Sequence, residues 1–234
     1  MSAPGGTLAE YALFPAHITF HVPMDTSFEE AATIPLAAGA AAAWLFEKDG
    51  GLGLPLPSSP ATKSIRLVIY GASGSLAKKA NIHPLICVAG GGAKTIEHFL
   101  NPSKGNASVD YWKGDEAVTE GIRAALTGKT LNYAFDTIAH GTTSASIAEA
   151  MTESGTIART WAPEGELANG VKSFQTAVGS LHSPQQKFGA EMFQLFEQGL
   201  QHGWLQPRPY EVVRGGLNVV EKALADLKLG KPVR

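Results

Sequence analysis

The sequence predicts an α/β protein built on a parallel β-sheet with helices on both faces. Strand-like and helix-like segments alternate from residue 65 onward, as in a chain that winds a parallel sheet. The predicted strands are apolar throughout, which is typical of strands buried on both faces. The 234 residues also include 26 glycines and 14 prolines, which indicates many short elements joined by tight turns.

Composition excludes several classes of protein. Hydrophobic residues make up 44% of the chain and charged residues 17%, which excludes a disordered chain. A net charge of −2 provides no basic surface for nucleic acid or an anionic membrane. The longest apolar stretch, residues 31–46, is shorter than the roughly 20 residues of a spanning helix. We therefore expect neither nucleic acid nor a membrane as a partner, and a cytoplasmic location because residues 1–10 do not resemble a secretory signal.

The N-terminal part is predicted to hold a strand, two helices and a loop. Apolar and polar residues alternate over residues 17–22, as in a half-buried strand. Ser27 and Glu30 have the spacing of a capping box, which marks the start of a helix. Pro35 suits the first position of a second helix. The predicted elements are a strand over 17–22, helices over 28–33 and 36–48, and a Gly/Pro-rich loop over 49–62.

Two further capping signals organise the rest of the chain. Asp115 is predicted to be the N-cap of a helix with one apolar face. Ser183 and Gln186 form a second capping-box pattern, with Pro184 at the first helical position. The helix after it is predicted to bury Phe188, Met192, Leu195, Phe196 and Leu200, and the last helix Val220, Leu224 and Leu227. The predicted strands are 65–70, 85–89, 131–136 and 156–161, and the helices are 75–80, 95–100, 116–126, 144–151, 184–202 and 217–227.

The stretch IRLVIYGASGSLAKKA, residues 65–80, has the pattern of a phosphate-binding turn. A strand runs into Gly71, Ser73, Gly74 and Ser75, and a helix begins there. Glycines let the backbone approach a pyrophosphate, and the N–H groups of a helix start face the anion. The pattern is not a Walker loop, because no glycine precedes Lys78 and no Ser or Thr follows it. A nucleotide site is one interpretation of this stretch, and a tight turn without a ligand is the other.

Several stretches together resemble one family. GASGSLA is similar to the nucleotide loop of the medium-chain dehydrogenase/reductase superfamily. Other stretches resemble its fungal, zinc-independent branch of enoyl reductases and quinone oxidoreductase-like proteins: AEYALF (9–14), SFEEAATIPLAAGAAAAWLF (27–46), LGLPLP (52–57), NIHPLICVAG (81–90), VDYWKGDEAV (109–118), NYAFD (132–136), GSLHS (179–183), LFEQGLQHGWLQPRPYEVVRGGL (195–217) and VEKALADLKLGK (220–231). The resemblance is collinear. It implies a Rossmann-like sheet, fragments of a GroES-like β domain and an oxidoreductase.

The resemblance implies NADP(H) as the cofactor and a small-molecule substrate. An NAD site usually carries an acidic residue after the second strand to hold the ribose diol. Here glycines and Lys94 stand at that place, and a cation suits the 2′-phosphate of NADPH. The resemblance adds Tyr111, which the family places after the next strand. The predicted cofactor-binding residues are Gly71, Ala72, Ser73, Gly74, Ser75, Leu76, Gly91, Gly92, Lys94 and Tyr111.

No metal site is predicted. Cys87 is the single cysteine, so neither the Cys₄ lobe nor a Cys/His catalytic site of the zinc-dependent branch can form. Cys87 lies in a predicted strand and is expected to be a buried, inert thiol. The histidines show no ligand spacing, and no catalytic residue is assigned. Asp136, at a strand end, is expected either near the cofactor or as a cap of the following loop.

The resemblance also predicts a domain division. Residues 1–36 are expected to be a remnant of the GroES-like domain, 37–206 the nucleotide domain, and 207–234 the return segment. The family has a longer first domain, commonly dimerises through edge strands and has a longer helix after its phosphate loop. We therefore expect a truncated member whose short crossover exposes part of the sheet. Its function is then either hydride transfer from NADPH to an activated C=C or quinone, or weak nucleotide binding without turnover.

Overall fold

The computed structural model describes residues 8–71, 74–90, 96–97, 100–151, 154–162 and 165–229. Contacts within the chain divide it into two compact units. We call residues 40–180 the sheet unit, and residues 1–39 with 181–234 the helical unit. The assignment of segments to remnants of a family domain is a different question, and it stays a prediction.

The sheet unit contains a parallel sheet of six strands in the order β3-β2-β1-β4-β5-β6. This order reverses direction between β1 and β4, as in doubly wound nucleotide-binding sheets. The predicted α/β class is therefore confirmed, although neither β3 nor β6 is among the predicted strands. The strands are β1 Leu67–Tyr70, β2 Leu85–Ala89, β3 Ala107–Asp110, β4 Tyr133–Asp136, β5 Thr156–Arg159 and β6 Lys172–Gln175.

Helices cover both faces of this sheet. On one face, α4 (Asp115–Leu126) and α5 (Thr143–Ala150) bury Ile122 and Ile147 in a cluster with residues of β1 and β2. On the other face, the C-terminal half of α2 (Pro35–Phe46) places Trp44 on Phe135 of β4, with ring centroids 5.9 Å apart. Helix α4 begins at Asp115 after Gly114 as its N-cap, so the predicted cap is one residue late.

The connection between β1 and β2 is short, as predicted, yet it does not expose the sheet. Its helix, α3, has only five residues, Ser75–Lys79. The expectation of an uncovered face is wrong for β1 and β2, because their residues 67–70 and 85–88 are at most 5% exposed. The connection buries four apolar side chains itself: Leu76, Ala77, Ala80 and Ile82 are at most 3% exposed. Leu76 and Ala77 lie within α3, and Ala80 and Ile82 follow it, so the short connection still supplies buried apolar side chains.

The helical unit contains α1 (Phe28–Ala32), the start of α2, α6 (Gln186–Gln201) and α7 (Val220–Lys228). The capping box of α1 is confirmed: the backbone N–H of Glu30 donates to Ser27 Oγ at 3.1 Å, and that of Ser27 donates to Glu30 Oε2 at 2.8 Å. The predicted strand over 17–22 is wrong, because a short 3₁₀ helix occupies Ala16–Ile18. No strand among the described residues of this unit is available to pair with it, and Phe20 packs on Phe193 of α6 instead.

Two further expectations for the helical unit fail. Helix α6 begins at Gln186 without a side-chain cap, so the Ser183 capping box does not form. The predicted stripe of α6 is otherwise buried, with Met192, Leu195, Phe196 and Leu200 at most 8% exposed. In α7, Leu224 and Leu227 are 55% and 69% exposed, which contradicts their predicted burial. Within the described ranges, no helix has the length and hydropathy needed to cross a bilayer.

Candidate functional site

The candidate site lies where the parallel strands of the sheet unit end. In doubly wound sheets, ligands bind outside the carboxyl ends of the strands, where the strand order reverses. Here that point lies between β1 and β4, which pair directly with Tyr70 opposite Asp136. Gly71 follows β1 and Tyr111 follows β3, so the topology brings these two predicted residues to the same edge of the sheet.

Gly71 is a position that only glycine fills without strain. Its φ is +86°, and a Cβ there would lie 2.6 Å from Thr137 Oγ1 and 2.9 Å from the Ile138 side chain. Both distances are shorter than the contacts that real Cβ atoms make, so a side chain at Gly71 would force its neighbours to move. The tight turn after β1 therefore requires glycine, as does the first turn of a dinucleotide-binding βαβ unit.

Gly74 serves packing more than ligand access. It caps α3 with a φ of +70°, and a Cβ would meet the side chains of Leu85 and Ile69 at 2.7 and 3.0 Å. Ser75 opens α3 and Leu76 is 3% exposed, so Leu76 belongs to the core beneath the turn. The predicted residues Ala72, Ser73, Gly91, Gly92 and Lys94 lie outside the described residues, and their roles stay predictions.

Asp136, the last residue of β4, organises the loop beside Gly71. It is fully buried, and its Oδ1 accepts hydrogen bonds from the backbone N–H groups of Ile138 and Ala139 at 3.1 and 2.8 Å. Its Oδ2 accepts from the hydroxyls of Thr143 and Ser144 at 2.7 and 2.6 Å. Of the two expectations for Asp136, the loop cap is therefore the one that is observed.

Thr137 links the ends of β1 and β4 by two hydrogen bonds. Its backbone N–H and its hydroxyl both donate to the carbonyl oxygen of Tyr70, at 3.0 and 2.7 Å. The N–H of Gly71 donates to the carbonyl oxygen of Val88 at 2.8 Å. The ends of β2, β1 and β4 are thereby held in one arrangement. No sequence pattern pointed to this role of Thr137.

An aromatic cluster occupies the other half of the edge. Tyr111 stacks on Tyr70 with centroids 5.8 Å apart, and Trp112 meets Tyr111 edge-on at 6.3 Å. A Cβ on Gly90 would lie 2.6 Å from Tyr111 Cζ, so this glycine admits the ring to the end of β2. Burial, and secondarily the nearby carboxylate of Asp136, raises the pKa of Tyr70 to about 12, and Tyr70 stays neutral at physiological pH.

The exposed apolar side chains of the sheet unit gather at this same edge. Tyr111 is 37% exposed, and the other three are 50–71% exposed. Isolated exposed apolar residues need no explanation, but a group along one edge of a sheet marks a binding surface. The described large apolar residues exposed on this unit are Tyr111 and Trp112 after β3, Ile138 after β4 and Trp161 after β5.

No metal chemistry is visible in the described part of the chain. It brings together no group of three His, Cys, Asp or Glu side chains placed to hold a metal ion. Cys87 is fully buried in β2, and burial raises the pKa of its thiol to about 12. The expected inert character of this cysteine follows, because the reactive thiolate is suppressed.

Comparison of the sequence with curated proteins identifies a family. The chain is 40% identical over 224 residues to the trans-enoyl reductase fsr4 of Gibberella fujikuroi, and the match covers 91% of this chain and 65% of that protein. It is 30% identical over 254 residues to the trans-enoyl reductase grgB of a Penicillium species, covering 97% of this chain and 69% of that protein. The chain belongs to the trans-enoyl reductases. The predicted resemblance is confirmed, and the chain spans about two thirds of the length of these relatives.

Solved structures support the same fold for this trans-enoyl reductase chain. The CurK enoyl reductase superposes with a TM-score of 0.65 at 15% identity, over 89% of this chain and 62% of that one. A mycobacterial protein solved with NADPH gives a TM-score of 0.67 at 18% identity, over 97% of this chain and 71% of that one. No protein-family model matches the chain.

Proposed function

We propose that this chain is an NADPH-dependent oxidoreductase that transfers hydride to an activated C=C bond of an enoyl thioester or to a quinone-type acceptor. The observation that carries the proposal is the carboxyl edge of the sheet, where the tight turn at Gly71 lies beside exposed apolar residues. Two relatives, from Gibberella and Penicillium, are named trans-enoyl reductases. A structural neighbour was solved with NADPH.

The described residues fit a dinucleotide. At Gly71 a Cβ would lie 2.6 Å from Thr137 Oγ1, so this glycine allows the tight turn against whose outer side a diphosphate is proposed to bind. Asp136 and Thr137 hold the loop and strand ends on which that ligand would lie. Tyr111, together with Lys94, is proposed to contact the 2′-phosphate. When bound, NADPH supplies the hydride.

The chain's own contribution is binding and orientation. The exposed Ile138 and Trp161 provide apolar contact at the ends of β4 and β5, where the neutral acyl chain of a substrate finds contact. The neutral phenol of Tyr70 adds no charge to the edge. We also propose that the reaction needs no zinc and that the protein works in the cytoplasm as a homodimer. Residues 1–36 and 207–234 are proposed to belong to the second domain of the family.

Two measurements test the proposal. Calorimetry with NADPH measures binding, and the oxidation of NADPH is then followed with a panel of enoyl thioesters, enones and quinones. Binding with turnover supports the proposal. Binding without turnover indicates the alternative, a nucleotide-binding remnant, and the absence of NADPH binding contradicts both.

A further inference from the structure

Arg159 is a buried cation at the candidate edge that the proposed function leaves unused. It is the last residue of β5 and is 4% exposed. Its Nε atom is enclosed without a hydrogen-bond partner, and none of the ion pairs among the described residues includes it. Its carbonyl oxygen accepts a hydrogen bond from Trp44 Nε1, so the backbone from which this side chain extends is fixed.

The neighbouring carboxylate of Asp136 forms no ion pair with Arg159 within 4 Å. Asp136 lies directly opposite it on β4, and side chains at paired positions of a parallel sheet point to the same face. Both oxygens of Asp136, however, accept hydrogen bonds from the β4–α5 loop and the start of α5. On the other side, Gln175 of β6 donates its amide to the carbonyl oxygen of Thr160 at 3.2 Å.

A buried guanidinium whose Nε–H has no hydrogen-bond partner is costly, because that donor has lost its water without compensation. An anion that binds beside it removes that cost. The planar fork of arginine suits a phosphate, which it contacts with two parallel hydrogen bonds. Strands lie about 4.8 Å apart, so β5 ends about 10 Å from β1 and its Gly71 turn, a span that a phosphate-bearing ligand covers.

We propose that Arg159 binds a phosphate oxyanion at the carboxyl end of β5. Two sources share this chemistry: a phosphate of NADPH, and a phosphate on the carrier of an acyl thioester. The inference rests on the proposed function only for these ligands, since the buried charge itself is independent of turnover.

The experiment compares Arg159→Met and Arg159→Lys with the unchanged chain. Arg66→Met is the matched control, because Arg66 also has an enclosed Nε without a partner, but it precedes β1 and donates Nη1 to the carbonyl oxygen of Thr130 at 3.3 Å. Each protein is titrated with NADPH, inorganic pyrophosphate and coenzyme A by calorimetry, and is melted without ligand.

We expect Arg159→Met to weaken binding of at least one of the three ligands by about tenfold or more, the size of one charge-assisted contact. Arg159→Lys retains part of that affinity, and Arg66→Met retains all of it. The ligand-free Arg159→Met protein melts no lower than the unchanged chain, because a buried donor without a partner is removed. Selective loss of NADPH and pyrophosphate identifies the cofactor as the source, and selective loss of coenzyme A identifies the acyl carrier.

Equal affinities of the unchanged chain and Arg159→Met for all three ligands overturn the inference, as does failure of the unchanged chain to bind any of them. These results separate the two proposals. NADPH binding and turnover that persist unchanged in Arg159→Met leave the proposed function standing without this site. Arg159-dependent binding of pyrophosphate by a chain that does not bind NADPH supports the site and contradicts the function.

Discussion

At Gly71, packing alone demands a residue without a side chain. A Cβ there would collide with Thr137 and Ile138, and moving them would disturb the turn at which a phosphate is proposed to bind. Asp136 stabilises the neighbouring loop after β4, because both oxygens of its carboxylate accept hydrogen bonds from that loop and from the start of α5. Single residues thus set the shape of the edge before any ligand binds.

Gly71→Ala is expected to destabilise the fold and to abolish measurable NADPH binding. The control is Gly128→Ala, since Gly128 also has a positive φ, +78°, but a Cβ there meets nothing within 4 Å. Gly128→Ala should cost only the backbone strain, about 1–2 kcal/mol, and leave NADPH affinity unchanged. Thermal melts and calorimetry measure the two effects, and equal melting temperatures for both variants would contradict this account of Gly71.

Lys94→Ala is expected to weaken NADPH binding while leaving NADH binding nearly unchanged. A lysine at the place of the usual diol-binding carboxylate suits the 2′-phosphate, and one charge-assisted contact contributes about 1.5–3 kcal/mol. Lys172→Ala is the control, because Lys172 is exposed at the start of β6, on the amino edge. If Lys94→Ala weakens the binding of NADPH and NADH equally, Lys94 does not recognise the 2′-phosphate.

At the scale of elements, two capping-box patterns in the sequence have different outcomes in the structure. Ser27 and Ser183 each precede an acceptor-bearing residue by three positions, but only Ser27 forms its capping box. Ser27→Ala should therefore lower the free energy of unfolding by about 0.5–2 kcal/mol, whereas Ser183→Ala should leave it unchanged. Urea titrations of the two variants measure the difference, and a comparable loss in Ser183→Ala would refute the observed start of α6.

The short crossover after β1 depends on residues beyond its helix. Ile82 is 1% exposed and follows the end of α3, where it helps to cover the sheet. Ile82→Ala should cost about 2–5 kcal/mol, as for other buried large-to-small changes. The exposed Lys129→Gln serves as a control with no expected change in melting temperature. A small effect of Ile82→Ala would mean that the crossover is indeed under-packed.

Local sequence patterns predicted the positions of strands better than they predicted which strands pair. The apolar runs that became β1, β2, β4 and β5 were recognised because burial on both faces leaves a continuous apolar pattern. Strand β6, Lys172–Gln175, was missed because KSFQ is polar and lies at an edge of the sheet. The strand predicted over 17–22 has the right alternation but no pairing partner among the described residues, and pairing is not encoded locally.

At the scale of the whole molecule, the two units differ in their surfaces. The described sheet unit exposes large apolar side chains only at its carboxyl edge, whereas the helical unit exposes them along α7 and the segments before α1. The position of the candidate edge was predictable because topology alone places it at the strand ends. The roles of Thr137 and Arg159 were not, since they depend on contacts between strands distant in sequence.

Charged substitutions on α7 should raise solubility without affecting the edge. Leu224→Lys with Leu227→Lys replaces side chains that are 55% and 69% exposed, and large exposed apolar patches promote association. We expect a higher soluble concentration, measured after centrifugation, with unchanged NADPH affinity. Leu195→Lys, at a buried position of α6, is the contrast and should prevent folding. A loss of NADPH affinity in the α7 variant would contradict the independence of the two surfaces.

The tryptophans of the sheet unit give the protein an optical readout of its own edge. Trp44 is 4% exposed and stacked on Phe135, whereas Trp112 and Trp161 are 71% and 65% exposed at the strand ends. Indole emission shifts to longer wavelength in water, so the buried and exposed rings emit differently. Reduced nicotinamide absorbs in the band where indoles emit. A ligand of that kind at this edge would quench the indole emission by energy transfer, and the unlabelled chain would report its own occupancy.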